Sequence, residues 1–324
     1  MSVEQQILEI LRKSDEKRLY DLVELTGASR QMAHRAVKNL VLKGHIEKVG
    51  SAPKTYYRLT QSKTRVTATL TKERSDFLNQ HFIQITETGK RLEGTEAMAH
   101  WCEKQRLPFE KTVQEFIVTR EKYLKHFLDS GLIDGWQKIR STKGFDRIGA
   151  DEIYYLDFYA IERFGKTRLG LLLHLAKQGQ NRKLMDEIID LCKLRIDKLI
   201  EKKQISAVGY IPPTIKREVQ FMKVLERKLN LPLPHIELMK VTGEIAIPQK
   251  ALSKIEERVS NARASILVKE KRAFKKVLLI DDAIGSGATM NETSLKLKDQ
   301  SITNQIVGLA VTGSFKGFDV IQEV

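Results

Sequence analysis

Apolar residues at helical spacing open the chain: Val3, Ile7, Leu8, Ile10 and Leu11 share one side of a helix over residues 3 to 13. Leu19, Leu22, Val23 and Leu25 repeat the pattern until Gly27 stops it, which predicts a second short helix. Ser29 is placed to cap a third, whose apolar side is Met32, Ala33, Ala36, Val37, Leu40 and Val41. Arg30, Gln31, His34, Arg35 and Lys38 fall largely on its remaining face. After Gly44 the pattern becomes that of strands: HIEKVGSAPKTYYRLT holds two β-type runs around the Gly50-Ser51-Ala52-Pro53 breaker, which predicts a hairpin.

From Gln61 to Gly149 the pattern predicts a mostly helical connector with Trp101, Phe109, Phe116, Tyr123, Phe127 and Trp136 as core anchors. Phe116, Tyr123 and Phe127 lie at i, i+7 and i+11, a helical stripe suited to burial rather than to stacking on bases. The stretch Ser141-Thr142-Lys143-Gly144 is the expected break. Beyond it, helices in RLGLLLHLAKQ, RKLMDEIIDLCKLRIDKLI and REVQFMKVLERKL alternate with apolar strands in ISAVGYIPP, VLLID and IVGLAVT. That alternation predicts a parallel α/β sheet. The expected organisation is therefore multidomain: an N-terminal module over 1–60, a helical region over 61–150 and an α/β domain over 151–324.

Three helices and a hairpin resemble the winged helix-turn-helix modules of prokaryotic DNA-binding proteins over about the first 60 residues. The resemblance implies that the third helix enters the major groove. Arg30, Gln31, His34, Arg35 and Lys38 would then approach base edges or phosphates, while Lys48, Lys54, Tyr56 and Arg58 bring the wing to the backbone. A three-helix unit used only for packing or protein contacts fits the same pattern. Net charge bears on the choice: the chain carries +15, and a basic surface gains affinity for polyanions by releasing their counterions. DNA or another nucleic acid is the expected partner.

The chemistry is densest in VLLIDDAIGSGATM, Val277 to Met290. Val277 to Ile280 form an apolar run suited to a buried parallel strand, and Asp281 and Asp282 follow at the end where α/β sheets bind ligands. Gly285, Ser286, Gly287, Ala288 and Thr289 are small enough for backbone N–H groups to close around a phosphate, ahead of a helix N-terminus that favours the anion. The two carboxylates can accept from vicinal ribose hydroxyls, directly or through magnesium. A Rossmann turn would place its acid after the glycines, and a Walker loop needs a Gly-Lys-Ser/Thr that is absent. A receiver domain also starts with a strand and paired aspartates, but only 42 residues follow Asp282.

Strand, two acids and the Gly-Ser-Gly-Ala-Thr loop resemble the phosphoribosyl pyrophosphate (PRPP) signature of type I phosphoribosyltransferases, and the resemblance extends upstream to the ComF-like branch over roughly the last half of the chain. FGKTRLGLLLHLAKQGQNRKLMDEI is similar to that branch's opening helix and Lys-x-Gly turn, Gly209 to Pro213 to its proline-containing loop, and Gln249, Leu252, Arg258 and Asn261 to its Q-x-x-L…R-x-x-N segment. One departure stands out: Arg217-Glu218-Val219-Gln220 replaces the branch's Arg-Gly-aromatic-Asn. The resemblance implies a phosphoribosyltransferase-type fold, Mg2+ with PRPP or a nucleotide, and cations on the departing pyrophosphate. Lys216, Arg217 and Arg258 are the expected cations for that loop and its lid, with Lys250, Lys254 and Arg263 nearby; no acid–base residue is named.

The remaining features narrow the class. No apolar run approaches the length of a membrane span, and the first residues lack a signal-peptide layout, so a cytoplasmic protein without membrane partners is expected. Two distant cysteines and seven histidines without ligand spacing predict neither a disulfide framework nor a zinc site. Two functional designs follow. One is a PRPP-sensing transcription regulator that binds ligand without turnover. The other is a nucleic-acid-gated effector similar to the phosphoribosyltransferase and helix-turn-helix proteins of retron-type phage defence, which implies a reverse transcriptase and its single-stranded DNA as partners. A ComF-like salvage or DNA-uptake factor is the third reading, and a homo-oligomer is compatible with each.

Overall fold

Ser2 starts the first helix, α1 (Val3–Arg12), with a capping box: its hydroxyl accepts from the Gln5 amide at 3.2 Å, and the Gln5 side chain accepts from the Ser2 amide at 3.0 Å. In the computed structural model, which describes residues 2–14, 16–50, 55–60, 70–215, 217–241, 252 and 254–315, the chain forms two compact units. One comprises Met1–Ser75 and Ile83–Glu110, the other Asp76–Phe82 and Lys111–Val324.

In the first unit, α2 (Leu19–Thr26) ends at Gly27, whose φ of +65° suits glycine. Ser29 caps α3 (Arg30–Leu42) by accepting from the Met32 amide. Ile7, Leu11, Leu22, Ala36, Val37, Leu40 and Ile46 make one core, against which Tyr57 and Leu59 pack. β1 (Ile46–Val49) pairs antiparallel with β2 (Tyr56–Leu59), Ile46 opposite Leu59. The expected hairpin is present, while Ser51, Ala52, Pro53 and Lys54 lie outside the described residues. Met32 and Val41, expected inside, are 56% and 37% exposed. Ala33, Ala36, Val37 and Leu40 already fill the inward stripe of α3, so the two larger side chains lie at its edges.

The 61–150 stretch, expected as a helical connector, divides between the units. α4 (Lys72–His81) is followed by a short antiparallel pair, β3 (Ile83–Ile85) and β4 (Arg91–Glu93), and then by α5 (Gly94–Gln105). Three-residue strands are too short to display a period of two, which is why they read as connector. α6 (Phe109–Leu124) leads into the second unit, where Phe116 meets Phe82 and Phe164 edge to face, the buried stripe its spacing predicts.

β5 (Ile133–Asp134), α7 (Trp136–Ser141) and β6 (Glu152–Phe158) come next, then α8 (Arg168–Gln178), α9 (Arg182–Lys203), β7 (Ala207–Tyr210) and α10 (Phe221–Leu229). β8 (Leu238–Lys240), α11 (Ile255–Ser265), β9 (Ile266–Val268), β10 (Val277–Ile284), α12 (Ala288–Asp299) and β11 (Ile306–Gly313) complete the described elements. The main sheet has the order β5-β6-β11-β10-β7, parallel except for β5 at its edge. β8 and β9 pair separately and antiparallel. The parallel α/β sheet expected from the alternation is therefore present, with two more strands before α8 than the sequence suggests.

β6 is hard to see in sequence because it carries a charge in its interior. Asp157, 8% exposed, accepts two bonds of 3.0 Å from the guanidinium of Arg120 on α6, itself 5% exposed. A buried carboxylate is tolerated only with such a partner. Among the described residues no helix is long and apolar enough to cross a membrane.

Candidate functional site

β10 runs Val-Leu-Leu-Ile fully buried, then opens: Asp281, Asp282 and Ala283 keep partial access where the strand passes the end of β7. The Asp282 amide donates to Asp281 Oδ1 at 2.7 Å, which fixes the first carboxyl against the backbone. Gly285 to Gly287 then turn the chain into α12. Gly287 has φ +85° and is the N-cap, so the unpaired amides of the first helical turn begin at the loop. Ser286 accepts from the Ala288 amide at 3.4 Å. From outside, α7 holds this loop: Lys138 Nζ donates to the Gly285 carbonyl and, at 2.5 Å, to Ser314 Oγ, and Ile139 packs where Gly287 has no side chain.

Asp281, Asp282, Gly285 and Thr289 form one side of a cavity of about 280 Å³. Leu173, Ile211, Pro212, Phe221 and Met222 supply apolar wall, and Lys166, Lys177, Arg217 and Lys240 supply cations. Thr167 positions the near end of α8, accepting from the Gly170 amide and donating to the Phe158 carbonyl at 2.6 Å. On the same helix His174 meets the Tyr159 hydroxyl at 3.2 Å, and one turn later Lys177 Nζ reaches Asp282 Oδ2 at 2.5 Å. Lys240, brought in by β8, donates to Thr214 Oγ1 at 2.6 Å in the proline-containing loop.

Protein surrounds the Asp281 carboxyl closely although the cavity mouth leaves it some access. Burial first, and then the charge of Asp282, push it up to about 7, against the opposing pull of the Asp282 amide, Lys177 and Lys240. Burial holds Lys240 below the usual lysine range, opposed by both aspartates. The site is thus an acid pair flanked by ammonium groups, beside a loop and helix N-terminus suited to an anion.

The same donors fit a resident divalent cation poorly. Asp281 Oδ1 is engaged by backbone and Asp282 Oδ2 by Lys177, and Lys177 and Lys240 both line the cavity that holds the two carboxylates. Among the described residues no group of three or more His, Cys, Asp or Glu side chains could hold a metal by protein ligands alone, whereas a Mg2+ keeping its waters and ligand phosphates would ask for one or two carboxylates only.

The residues expected from sequence are distributed as follows. Asp281, Asp282, Gly285 and Thr289 lie together on one side of the cavity and Arg217 lines it, whereas Ser286, Gly287 and Ala288 are buried and are not among the lining residues. Arg217 donates to the Lys177 carbonyl and to Gln178 Oε1, and the Val219 amide donates to Gln180 Oε1 at 2.8 Å. The departing Arg-Glu-Val-Gln segment is therefore stitched to the end of α8. Lys216, Gln249 and Lys250 lie outside the described residues. Arg258 is 5% exposed within α11, donates to the Leu252 carbonyl at 2.8 Å and is not among the residues lining the cavity. In the other unit Arg30, Gln31, His34, Arg35 and Lys38 are all exposed on α3. Lys48 is exposed on β1, whereas Arg58 is bonded to Glu47 and Tyr56 to Arg18. Sequence reasoning missed Lys138, Lys166, Lys240, Tyr159 and His174, and marked Lys177 only as the lysine of the Lys-x-Gly turn, without a role in the site. Only the His174–Lys177 pair, three apart on one helix face, left a readable trace.

No protein-family model matches the chain, and no curated protein matches it. Among solved structures the chain is similar to an adenine phosphoribosyltransferase at 18% identity, with 41% of this chain and 72% of that chain covered and a TM-score of 0.27. It is also similar to a hypoxanthine phosphoribosyltransferase from Staphylococcus aureus at 15% identity, with 43% and 70% covered and a TM-score of 0.26. Neither likeness assigns a role to any residue, and the chemistry of the site has to come from its own geometry.

Proposed function

We propose that the α/β unit binds PRPP or a related ribose 5-phosphate compound, and that α3 of the first unit binds nucleic acid, the whole acting as a regulator or a nucleic-acid-gated effector. One observation carries the ligand half: two carboxylates at the end of a parallel strand run into a Gly-Ser-Gly-Ala-Thr turn and a helix N-terminus, and Asp281, Asp282, Gly285 and Thr289 line one side of a cavity that Lys166, Lys177, Arg217 and Lys240 also line. In this reading the amides of the 285–289 loop take the 5-phosphate, Asp281 and Asp282 accept from the ribose hydroxyls, and Lys166, Lys177, Arg217 and Lys240 face the phosphates on the other carbon. Magnesium, which the sequence resemblance implies, would find one oxygen of each aspartate already engaged, Asp281 Oδ1 by the Asp282 amide and Asp282 Oδ2 by Lys177.

Changing Asp281 and Asp282 together to Asn is expected to abolish stabilisation by PRPP in a thermal melt, since that stabilisation follows RT ln(1 + [L]/Kd). Retained stabilisation would put the ligand elsewhere. Pyrophosphate release, measured with PRPP and a panel of bases and nucleotides with and without DNA, then separates the designs. Turnover that requires DNA supports the gated effector, of which the retron-type arrangement with a reverse transcriptase and single-stranded DNA is one form. Binding without turnover that changes DNA affinity supports the sensor.

The nucleic-acid half rests on the exposed row Arg30, Gln31, His34, Arg35 and Lys38, whose opposite face is fixed in a hydrophobic core. Arg35→Ala with Lys38→Ala is expected to weaken DNA binding and to flatten the log–log salt dependence by roughly 2, close to one unit per lost phosphate contact. An unchanged slope would remove α3 from the interface.

A further inference from the structure

The acid pair at the end of β10 is already supplied with positive charge. Lys177 Nζ sits 2.5 Å from Asp282 Oδ2, and Lys240 lines the same cavity as both aspartates. Neither lysine is there by chance of a flexible surface. Lys177 lies in the last turn of α8, where Arg217 fastens its own carbonyl and the Val219 amide ties the next turn of chain. Lys240 is half-buried on β8, with Thr214 accepting from it at 2.6 Å. Lys177 and Lys240 share this side of the molecule with the two carboxylates, and a divalent ion entering there would meet two ammonium groups and a partly occupied set of oxygens.

We infer that Lys177 and Lys240 stand in for the divalent cation at this site, so that the protein takes a ribose 5-phosphate ligand without metal. The inference rests on the proposed ribose-phosphate reading. It gives the two lysines a division of labour. Lys177 holds Asp282 in place and screens it, leaving its second oxygen for a ribose hydroxyl, and Lys240 offsets the remaining charge of the pair. A lysine reaches such a carboxylate as a compact point charge on a long stem, which is what replacement of an ion by a side chain requires.

The test is calorimetric titration of the full chain with ribose 5-phosphate, which has no diphosphate to carry a metal in, and with PRPP in parallel, each in EDTA and in excess Mg2+. The unaltered protein is expected to bind with dissociation constants that agree within about threefold between the two conditions, less than the 1.4 kcal/mol of a tenfold change. Lys177→Met, which keeps the stem and removes the charge, is expected to bind at least about tenfold more weakly in EDTA and to regain affinity in Mg2+, because the uncovered acid pair then accepts the ion. Lys240→Met provides a second variant with the same expected pattern should the first fail to fold. Binding by the unaltered protein only in Mg2+ would overturn the inference while leaving the ribose-phosphate reading intact. Variants as indifferent to metal as the unaltered protein, or tighter in EDTA, would also overturn it. No binding by the unaltered protein in either condition would overturn the ribose-phosphate reading and the inference with it.

Discussion

Arg120→Met is expected to destabilise the α/β unit by about 3–5 kcal/mol, the usual cost of removing one partner from a buried ion pair. For a unit of this size that is a fall of roughly 6–20 °C in its melting midpoint. The arrangement explains why the figure sits at the high end for a single exchange. Asp157 is in the interior of β6, 8% exposed, with both carboxylate oxygens bonded to Arg120 and Oδ1 also accepting from the Phe158 amide at 2.8 Å. Methionine fills the volume of the arginine stem but supplies no donor, so the carboxyl must either stay charged without its partner or take up a proton. The second exchange that decides the matter is Asp157→Leu on top of Arg120→Met. The double variant should recover much of the loss, because an apolar pair of similar volume has no charge to desolvate. Hydrogen exchange at β6 and β11 is the local readout, since the two strands pair directly through Thr312 and Asp157 and through Gly313 and Phe158. A single variant that melts within about 1 kcal/mol of the unaltered protein would mean that water reaches Asp157 and that the pair is worth no more than one at the surface.

The same pair shows what the sequence could and could not say. Helices α1 to α3 were legible because Ile7, Leu11, Leu22, Val37 and Leu40 recur at helical period and Gly27 and Ser29 mark ends. The strand before Asp281 and the small residues after it were legible because strand, acids and glycine turn are contiguous. β6 was not, since the partner that lets Asp157 lie inside a strand is 37 residues away on another helix. Arg217 apart, the roles of the cavity's cations were hidden for a related reason. In a chain with 56 lysines and arginines, the Lys-x-Gly turn marks Lys177 but not its partner Asp282, 105 residues away, and nothing local distinguishes Lys240, whose place depends on the β8–β9 pairing. Arg258 illustrates the converse: a motif position pointed to a charged lid, yet its side chain is buried and bonded to the Leu252 carbonyl. Contiguous chemistry reads from sequence, and chemistry assembled by tertiary contacts does not.

Gly287→Val is expected to remove ligand binding through the loop alone, leaving Asp281 and Asp282 untouched. Two separate demands meet at this position. The backbone has φ +85°, ψ −1°, a left-handed conformation that costs an L-residue roughly 1–2 kcal/mol and a β-branched one more. A Cβ would also stand 2.2 Å from Ile139 Cδ1, which α7 holds fully buried, and 3.5 Å from Ile139 Cγ1. The clash falls on the end of the Ile139 side chain, whereas the left-handed backbone is strained whatever the space, and a turn that relaxes from it rotates the first amides of α12 away from the anion they would face. A ligand at one hundred times its dissociation constant stabilises the unaltered protein by about 2.7 kcal/mol, and a hundredfold loss of affinity would reduce that to about 0.4 kcal/mol. A thermal melt with and without PRPP reads the difference directly. Gly287→Ala with Ile139→Ala separates the two causes, since it opens the space and keeps the backbone strain. Partial return of ligand stabilisation in that double variant assigns the lost part to the clash with α7 and the unrecovered part to the left-handed turn. Full ligand stabilisation in Gly287→Val itself would mean that the phosphate is held away from the 285–289 loop, and that the acid pair of β10 serves a ligand oriented differently from the one proposed.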